Sequence, residues 1–129
     1  WNEVVTGANV ITADECGKTF FLNSVTGFAS TLPDISAVNA GCAFEFIVTT
    51  VPTSGNHTVV TGATLENAMY GAIMSAGGTD DAQAAGDTIT FAQDNAVIGD
   101  YIWIRSNGTY WFIMGMCAAD NGCTYAQAD

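Results

Sequence analysis

The stretch AFEFIVTT, residues 43–50, carries the clearest signal of the fold class in this chain. Successive side chains of a β-strand point to opposite faces, so Phe44, Phe46 and Val48 would share one apolar face and Glu45 would begin the other. Alternation of this kind has a period of two residues and does not match a helix. The stretch therefore predicts a β-strand that is buried on one side.

Six other segments repeat this signal at short intervals. No part of the chain keeps a 3.6-residue apolar period for three turns, and Gly, Pro, Asn and Asp separate the apolar runs. The further predicted strands are residues 18–22, 28–32, 57–61, 88–92, 101–105 and 110–115. Many short strands joined by tight turns predict an all-β fold, a small antiparallel β-sandwich or jelly roll.

The turn SNGT, residues 106–109, is the strongest hairpin signal. It lies between two aromatic-rich runs, and Asn-Gly readily adopts the positive φ angles of a type I′ turn. We therefore expect residues 101–105 to pair with residues 110–114 as neighbouring antiparallel strands.

A chain of 129 residues has the length of a single domain with one core. We divide it into an N-terminal arm (1–8), a β module (9–115) and a C-terminal tail (116–129), and we expect residues 1–6 to reach a neighbouring subunit. The stretch 75–86 is small, acidic and rich in Gly, which predicts an exposed loop.

The charge balance excludes two classes of partner. Lys18 and Arg105 are the only basic residues beside thirteen acidic ones, and the formal net charge is −11. Nucleic acids and anionic membranes both select clustered Lys and Arg, so neither is an expected partner. No apolar run approaches the roughly 20 residues of a spanning helix, and the segment after Trp1 lacks the basic and apolar regions of a signal peptide.

Charged residues make up only 12% of the chain, about half the usual share of roughly 25%. The exterior must therefore consist of Thr, Ser, Asn, Gly and Ala, or be covered by another subunit.

We expect no catalytic residue, metal or cofactor. His57, the only histidine, lies at the start of a predicted strand, and the chain has no G-x-S-x-G motif to supply a nucleophile. A glycosidase needs only two carboxylates, but most acidic residues lie beside Gly, Pro or Asn, where turn capping explains them. Asp80 and Asp81 could offer oxygens to a hard cation, but they lack the D-x-[DN]-x-[DN]-G pattern, and a solvated loop tip explains them better.

The four cysteines permit three disulfide pairings. Their spacing does not match the C-x₂₋₄-C pairs of zinc sites. Cys117 and Cys123 flank a segment with Asp, Asn and Gly that can fold into a tight turn, so we expect this pair to be bonded. Cys16 and Cys42 can meet only through strand pairing, and they form the second expected bond. The alternative is four thiols that only fill space.

Aromatic residues concentrate on the predicted hairpin, and strand alternation divides them between its two faces. One group is expected to fill the core and the other to form an interface. A Trp on a free N-terminal arm also calls for a partner that covers it. The candidate interface residues are Trp1, Val4, Val5, Trp103, Tyr110 and Trp111.

Six blocks of this sequence follow one another in an order that resembles a known family. They are ITADECGKTFFLN (11–23), GFASTLP (27–33), AGCAFEFIV (40–48), AGDTITF (85–91), VIGDY (97–101) and SNGTYW (106–111). Together they resemble a β module of virion proteins of tailed bacteriophages, above all head decoration (cement) proteins, with relatives on tail fibres. This chain departs from that pattern at Cys16 and Cys42, so the resemblance implies nothing about their pairing.

The resemblance implies a non-enzymatic virion structural protein on the outer capsid surface. Its partners would be the major capsid protein and two further copies of itself in a homotrimer, and it would stabilise contacts between coat subunits. The alternative is a tail-fibre or receptor-binding module that grips a glycan through Trp and Tyr. Location on the particle separates these two functions.

Overall fold

The computed structural model describes residues 1–62, 68–76 and 81–126, with only the backbone for 81–84. These residues form two β-sheets that pack against each other, and the predicted all-β sandwich is confirmed. The strands are β1 (Asn2–Val5), β2 (Asn9–Val10), β3 (Thr19–Asn23), β4 (Ala29–Thr31), β5 (Ala43–Thr50), β6 (His57–Val60), β7 (Met69–Ser75), β8 (Asp81–Gly86), β9 (Thr88–Phe91), β10 (Tyr101–Ser106), β11 (Trp111–Cys117) and β12 (Cys123–Ala126).

Helix is nearly absent from the described part of the chain. Its only helical elements are two 3₁₀ turns of three residues, Ala13–Glu15 and Ile35–Ala37. The side chain of Asp34 begins the second turn by accepting a hydrogen bond from the Ser36 backbone N–H, at 3.0 Å. None of the described helices is long or apolar enough to span a membrane.

The larger sheet has seven strands in the order β1-β3-β5-β10-β11-β7-β8, and the smaller has five in the order β12-β9-β6-β4-β2. From β1 to β6, consecutive strands alternate between the two sheets. Strands that follow each other within one sheet therefore run in the same direction, and β1, β3 and β5 are parallel neighbours, as are β2, β4 and β6. The sheets are thus mixed, whereas tight-turn punctuation predicted antiparallel pairing throughout.

The predicted hairpin is confirmed, with β10 and β11 paired antiparallel from Tyr101↔Met116 to Ser106↔Trp111. Its turn is not type I′, because Gly108 (φ 93°) is the one turn residue with positive φ. Asn107 instead acts through its side chain, which accepts hydrogen bonds from the backbone N–H groups of Thr109 and Tyr110 at 2.9 and 2.8 Å.

The inward side chains of both sheets form one apolar core. The alternation predicted for β5 is confirmed, since Phe44 and Phe46 are buried and face inward. The rings of Phe20 and Phe46 stack with centroids 5.2 Å apart, and Phe44 packs against Trp111 at 6.0 Å. Aromatic pairs at such distances add stability beyond the area that they bury.

Three boundary predictions need correction. The N-terminal arm is not free, because Asn2–Val5 pairs in parallel with β3 as an edge strand of the domain's own sheet. The C-terminal tail contains Cys123–Ala126, which pairs antiparallel with β9. The predicted loop 75–86 contains Asp81–Gly86, which pairs antiparallel with β7. Asp80 lies outside the described residues, and Asp81 is the first residue of β8.

Candidate protein-docking face

The larger sheet has one face toward the core and one toward solvent, and we call the solvent side the outer face. Pairing register places six apolar side chains side by side on it, one from each of six consecutive strands: Val4, Phe21, Ile47, Tyr101, Met116 and Met74. A second row adds Trp103, Met114 and Ala72 on β10, β11 and β7. A third row adds Phe112 and Tyr70 on β11 and β7.

These side chains are open to solvent to a degree unusual for their type. Met114 is 61% exposed, and Val4, Met74, Met116 and Phe112 are also classed as exposed. Strands lie about 4.8 Å apart and successive outward residues about 7 Å apart, so these eleven apolar positions cover roughly 370 Å² of projected area. Monomeric proteins rarely expose contiguous apolar patches larger than a few hundred Å². The apolar part of the outer face therefore matches the largest apolar patch of a typical monomer, which is often a functional surface.

Charge is nearly absent from the outer face among the described side chains. Glu45 and Arg105 are its two charged groups, on neighbouring strands, although the chain carries thirteen acidic residues. The Arg105 guanidinium lies over the Trp103 ring, 4.4 Å from its centroid. Tyr110 meets Tyr70 edge to face at 5.0 Å. The described acidic side chains other than Glu45 thus lie elsewhere in the protein.

The candidate interface residues divide into two groups. Trp103 and Tyr110 lie on or beside the outer face, Val4 lies on its β1 edge, and Trp1 is 70% exposed next to that edge. The prediction of Val5 and Trp111 as interface residues is wrong, because both side chains are buried in the core. Alternation along β1 and β11 turns each of them inward. Sequence reasoning missed the three exposed methionines, although alternation along their strands would have placed them outward.

Lys18 ties the β1 edge strand to the domain. Its Nζ donates to Glu3 Oε2 at 2.7 Å and to Glu15 Oε1 at 2.8 Å, and it lies 5.0 Å from the Trp1 ring centroid. Hydrogen bonds to Glu15 and Glu3 raise the pKa of Lys18. Burial alone would raise the pKa of Glu15, but the hydrogen bonds from Lys18 and from the Thr12 backbone outweigh it and lower that pKa.

Both predicted disulfides are present. Cys16 bonds to Cys42, which joins the turn before β3 to the start of β5. Cys117 bonds to Cys123, which joins the end of β11 in one sheet to the start of β12 in the other. On the chain-entropy estimate the Cys16–Cys42 bond, which closes the longer loop, stabilises the fold by roughly 3 to 4 kcal/mol and the Cys117–Cys123 bond by roughly 2 kcal/mol.

One set of possible metal ligands lies together in the described part of the chain. Ligand atoms of Asp100, Cys117 and Cys123 are within 4.8 Å of one another. Both sulfurs are used in the disulfide, and the Asp100 carboxylate already accepts backbone hydrogen bonds from Val97 and Ala118 at 2.8 and 2.9 Å. The cluster has a structural explanation and is not a candidate metal centre in this state.

His57 is fully buried and its ring lies 4.6 Å from the ring of Phe28. Neither ring nitrogen has a hydrogen bond of ordinary geometry. Burial lowers the pKa of His57, and the nearby backbone of Thr50 and Ser24 only partly opposes that shift. Within the described residues no nucleophile or carboxylate hydrogen-bonds to the ring, and its contact with Phe28 is a packing contact.

We expect the protein to lose stability in mild acid through His57. The unfolded imidazole, with a pKa near 6.5, binds protons that the folded one does not, so the free energy of unfolding is fully maintained above that pH. It falls as the pH drops toward about 5, with a slope of at most about 1.4 kcal/mol per pH unit for one proton. Urea unfolding of the wild type and of His57→Leu, at a pH above 6.5 and at about pH 5, measures this loss of stability. Equal pH dependence in the two proteins would contradict the prediction.

Comparison with models of known protein families, with curated proteins and with solved structures gave no match to this chain.

Proposed function

We propose that the chain is a virion structural protein, a decoration or cement protein of a tailed-phage head, and that its outer face docks on the major capsid protein. The observation that carries the proposal is the apolar outer face, which is nearly uncharged on a chain of net charge −11. The resemblance in sequence blocks supports the capsid as its location. Docking would stabilise contacts between coat subunits, with copies of the chain arranged as a homotrimer.

The physical argument starts from what an apolar face does when it is covered. Each Å² of apolar surface removed from water is worth about 25 cal/mol before the cost of association is subtracted. Burial of the exposed methionines would contribute this free energy, and Met adapts to an irregular partner surface because its side chain is flexible. Acidic groups elsewhere would face solvent and keep decorated particles apart.

The geometry favours a protein partner over a glycan. A sugar would stack on an open aromatic ring, with polar groups around it to bind its hydroxyls. Arg105 covers the Trp103 ring, and the outward residues beside it on β11, Met114 and Phe112, offer no hydrogen bonds, which leaves Glu45 on β5 as the acceptor next to the ring. An apolar face suits an apolar partner surface.

Addition of the protein to heads purified from a phage that lacks it tests this proposal. The wild-type chain is expected to co-sediment with heads and raise their melting temperature. Met114→Asp should weaken binding about thirtyfold or more, which corresponds to about 2 kcal/mol, because the carboxylate would be buried unpaired.

Val10→Asp is the matched control. Val10 is also an exposed strand residue, but it lies on β2 in the smaller sheet, so this variant should bind as wild type. Failure of the wild type to bind heads, or equal binding by Met114→Asp, would refute the proposal. Density at the tail in cryo-electron microscopy of whole particles would favour the receptor-binding alternative.

A further inference from the structure

The two disulfides differ in their access to solvent. Cys16 is half-buried and, with Cys42, lines a surface depression of about 460 Å³. In the other bond Cys117 and Cys123 are 0% and 2% exposed. Cys117 adjoins a smaller depression of about 260 Å³, but its own surface is closed. A thiol in solution can therefore approach the first disulfide far more easily than the second.

The carboxylate of Asp100 adds a second difference. Its Oδ2 atom lies 3.8 Å from Cys123 Sγ, and two backbone N–H groups hold it in place. Thiol–disulfide exchange proceeds when a thiolate attacks one sulfur and the other leaves as a thiolate. Negative charge developing on Cys123 would be repelled by the carboxylate beside it, and an incoming thiolate would meet the same repulsion.

We infer that the disulfide between Cys16 and Cys42 is an exchange site for low-molecular-weight thiols, and that the other disulfide is protected. The thiolate attacks Cys16 Sγ, the more accessible sulfur. The sulfur–sulfur bond breaks, a mixed disulfide forms on Cys16, and Cys42 leaves as a thiolate that takes a proton from water. A second thiol molecule can then attack the mixed disulfide, so that Cys16 is reduced and the thiol is oxidised to its own disulfide.

The contacts around Cys16 link this chemistry to the edge of the outer face. Cys16 lies in the turn between Glu15 and Lys18, and that turn is also held by the Gly17 N–H bond to the Ala43 carbonyl at 2.7 Å. Lys18 in turn binds Glu3 on β1. Opening the disulfide removes the covalent tie between this turn and β5. It therefore loosens β1, the strand that carries Val4.

The experiment uses the oxidised protein and glutathione at mildly alkaline pH. Samples are quenched with acid, the free thiols are alkylated, and each cysteine is quantified by mass spectrometry. Cys16 and Cys42 should become labelled about tenfold or more faster than Cys117 and Cys123, and a glutathione adduct should appear on Cys16. The second disulfide is the internal control, because global unfolding would open both together. Equal rates, or faster labelling of Cys117 and Cys123, would overturn the inference.

Two variants separate its parts. Asp100→Asn should speed reduction of the Cys117–Cys123 bond and leave the Cys16–Cys42 rate unchanged. In the double variant Cys16→Ser with Cys42→Ser, the amide hydrogen exchange rates of residues 2–5 should rise several-fold. The same increase is expected in wild-type protein whose Cys16–Cys42 bond has been reduced by glutathione. Unchanged exchange at residues 2–5 in both samples would refute the link to β1. This inference does not depend on capsid binding.

Discussion

Replacement of Trp111 by alanine is expected to remove about 3 to 5 kcal/mol from the free energy of unfolding. The Trp111 side chain is fully buried and packs on Phe44 with ring centroids 6.0 Å apart. Alanine would leave a cavity that the two sheets cannot close, because strand pairing on both sides holds β11 in place. Urea denaturation monitored by far-ultraviolet circular dichroism measures the loss.

Two companion variants make this result specific. Trp111→Phe should cost much less than alanine, because it keeps most of the ring volume and removes an indole N–H that has no hydrogen-bond acceptor. Trp103→Ala, on the outer face, should change stability by less than about 1 kcal/mol. A similar loss for Trp103→Ala and Trp111→Ala would show that the assignment of inward and outward faces on the hairpin is wrong.

Replacement of Gly71 by alanine is expected to cost at least about 4 kcal/mol or to prevent folding. Gly71 has φ 146° and lies at an irregularity in the pairing of β7 with β8. An added Cβ would overlap the carbonyl oxygen of Ile113, which is backbone of the neighbouring strand β11 and cannot move aside without breaking the sheet. The yield of soluble protein and chemical denaturation report the effect.

Gly7→Ala is the matched control for this substitution. No described atom apart from Gly7 and its two chain neighbours lies within 4 Å of a Cβ added there, and its φ is not in the left-handed region, so the stability of this variant should change by about 0.5 kcal/mol or less. A stable Gly71→Ala protein with wild-type unfolding would contradict the close approach of β7 to β11.

Local pattern predicted seven strands, and all seven are present. The alternating runs that carry β-branched and aromatic residues, such as Ala43–Thr50, are predicted correctly because both their residue propensity and their two-residue period indicate a strand. The strands that were missed lack one or both signals. Asp81–Gly86 is rich in small and polar residues, and Met69–Ser75 contains Gly71 at its centre. Pairing with β11 holds β7 in the sheet, and pairing with β7 holds β8.

The candidate site shows the same division. Alternation along the hairpin indicates that its aromatic side chains divide between two faces, but Trp111, the one that fills the core, is among the residues expected at an interface. It did not indicate that β1, β3 and β5 would line up beside the hairpin, so that Val4, Phe21 and Ile47 continue its outward apolar row. The terminal position of residues 1–8 predicts a free arm, whereas backbone hydrogen bonds to β3 and the contacts of Lys18 hold Asn2–Val5 in the sheet.

The sequence by itself determined the all-β class, the buried face of β5, the hairpin between β10 and β11, and the net charge of −11. These properties depend on neighbours in the chain, on composition, or on a period of two residues. Only the tertiary structure decided that the first six strands alternate between sheets, that Trp111 is core and that the exposed side chains merge into one face. Strand partners are chosen by contacts distant in sequence, and a strand's own pattern defines its two faces without naming its neighbours.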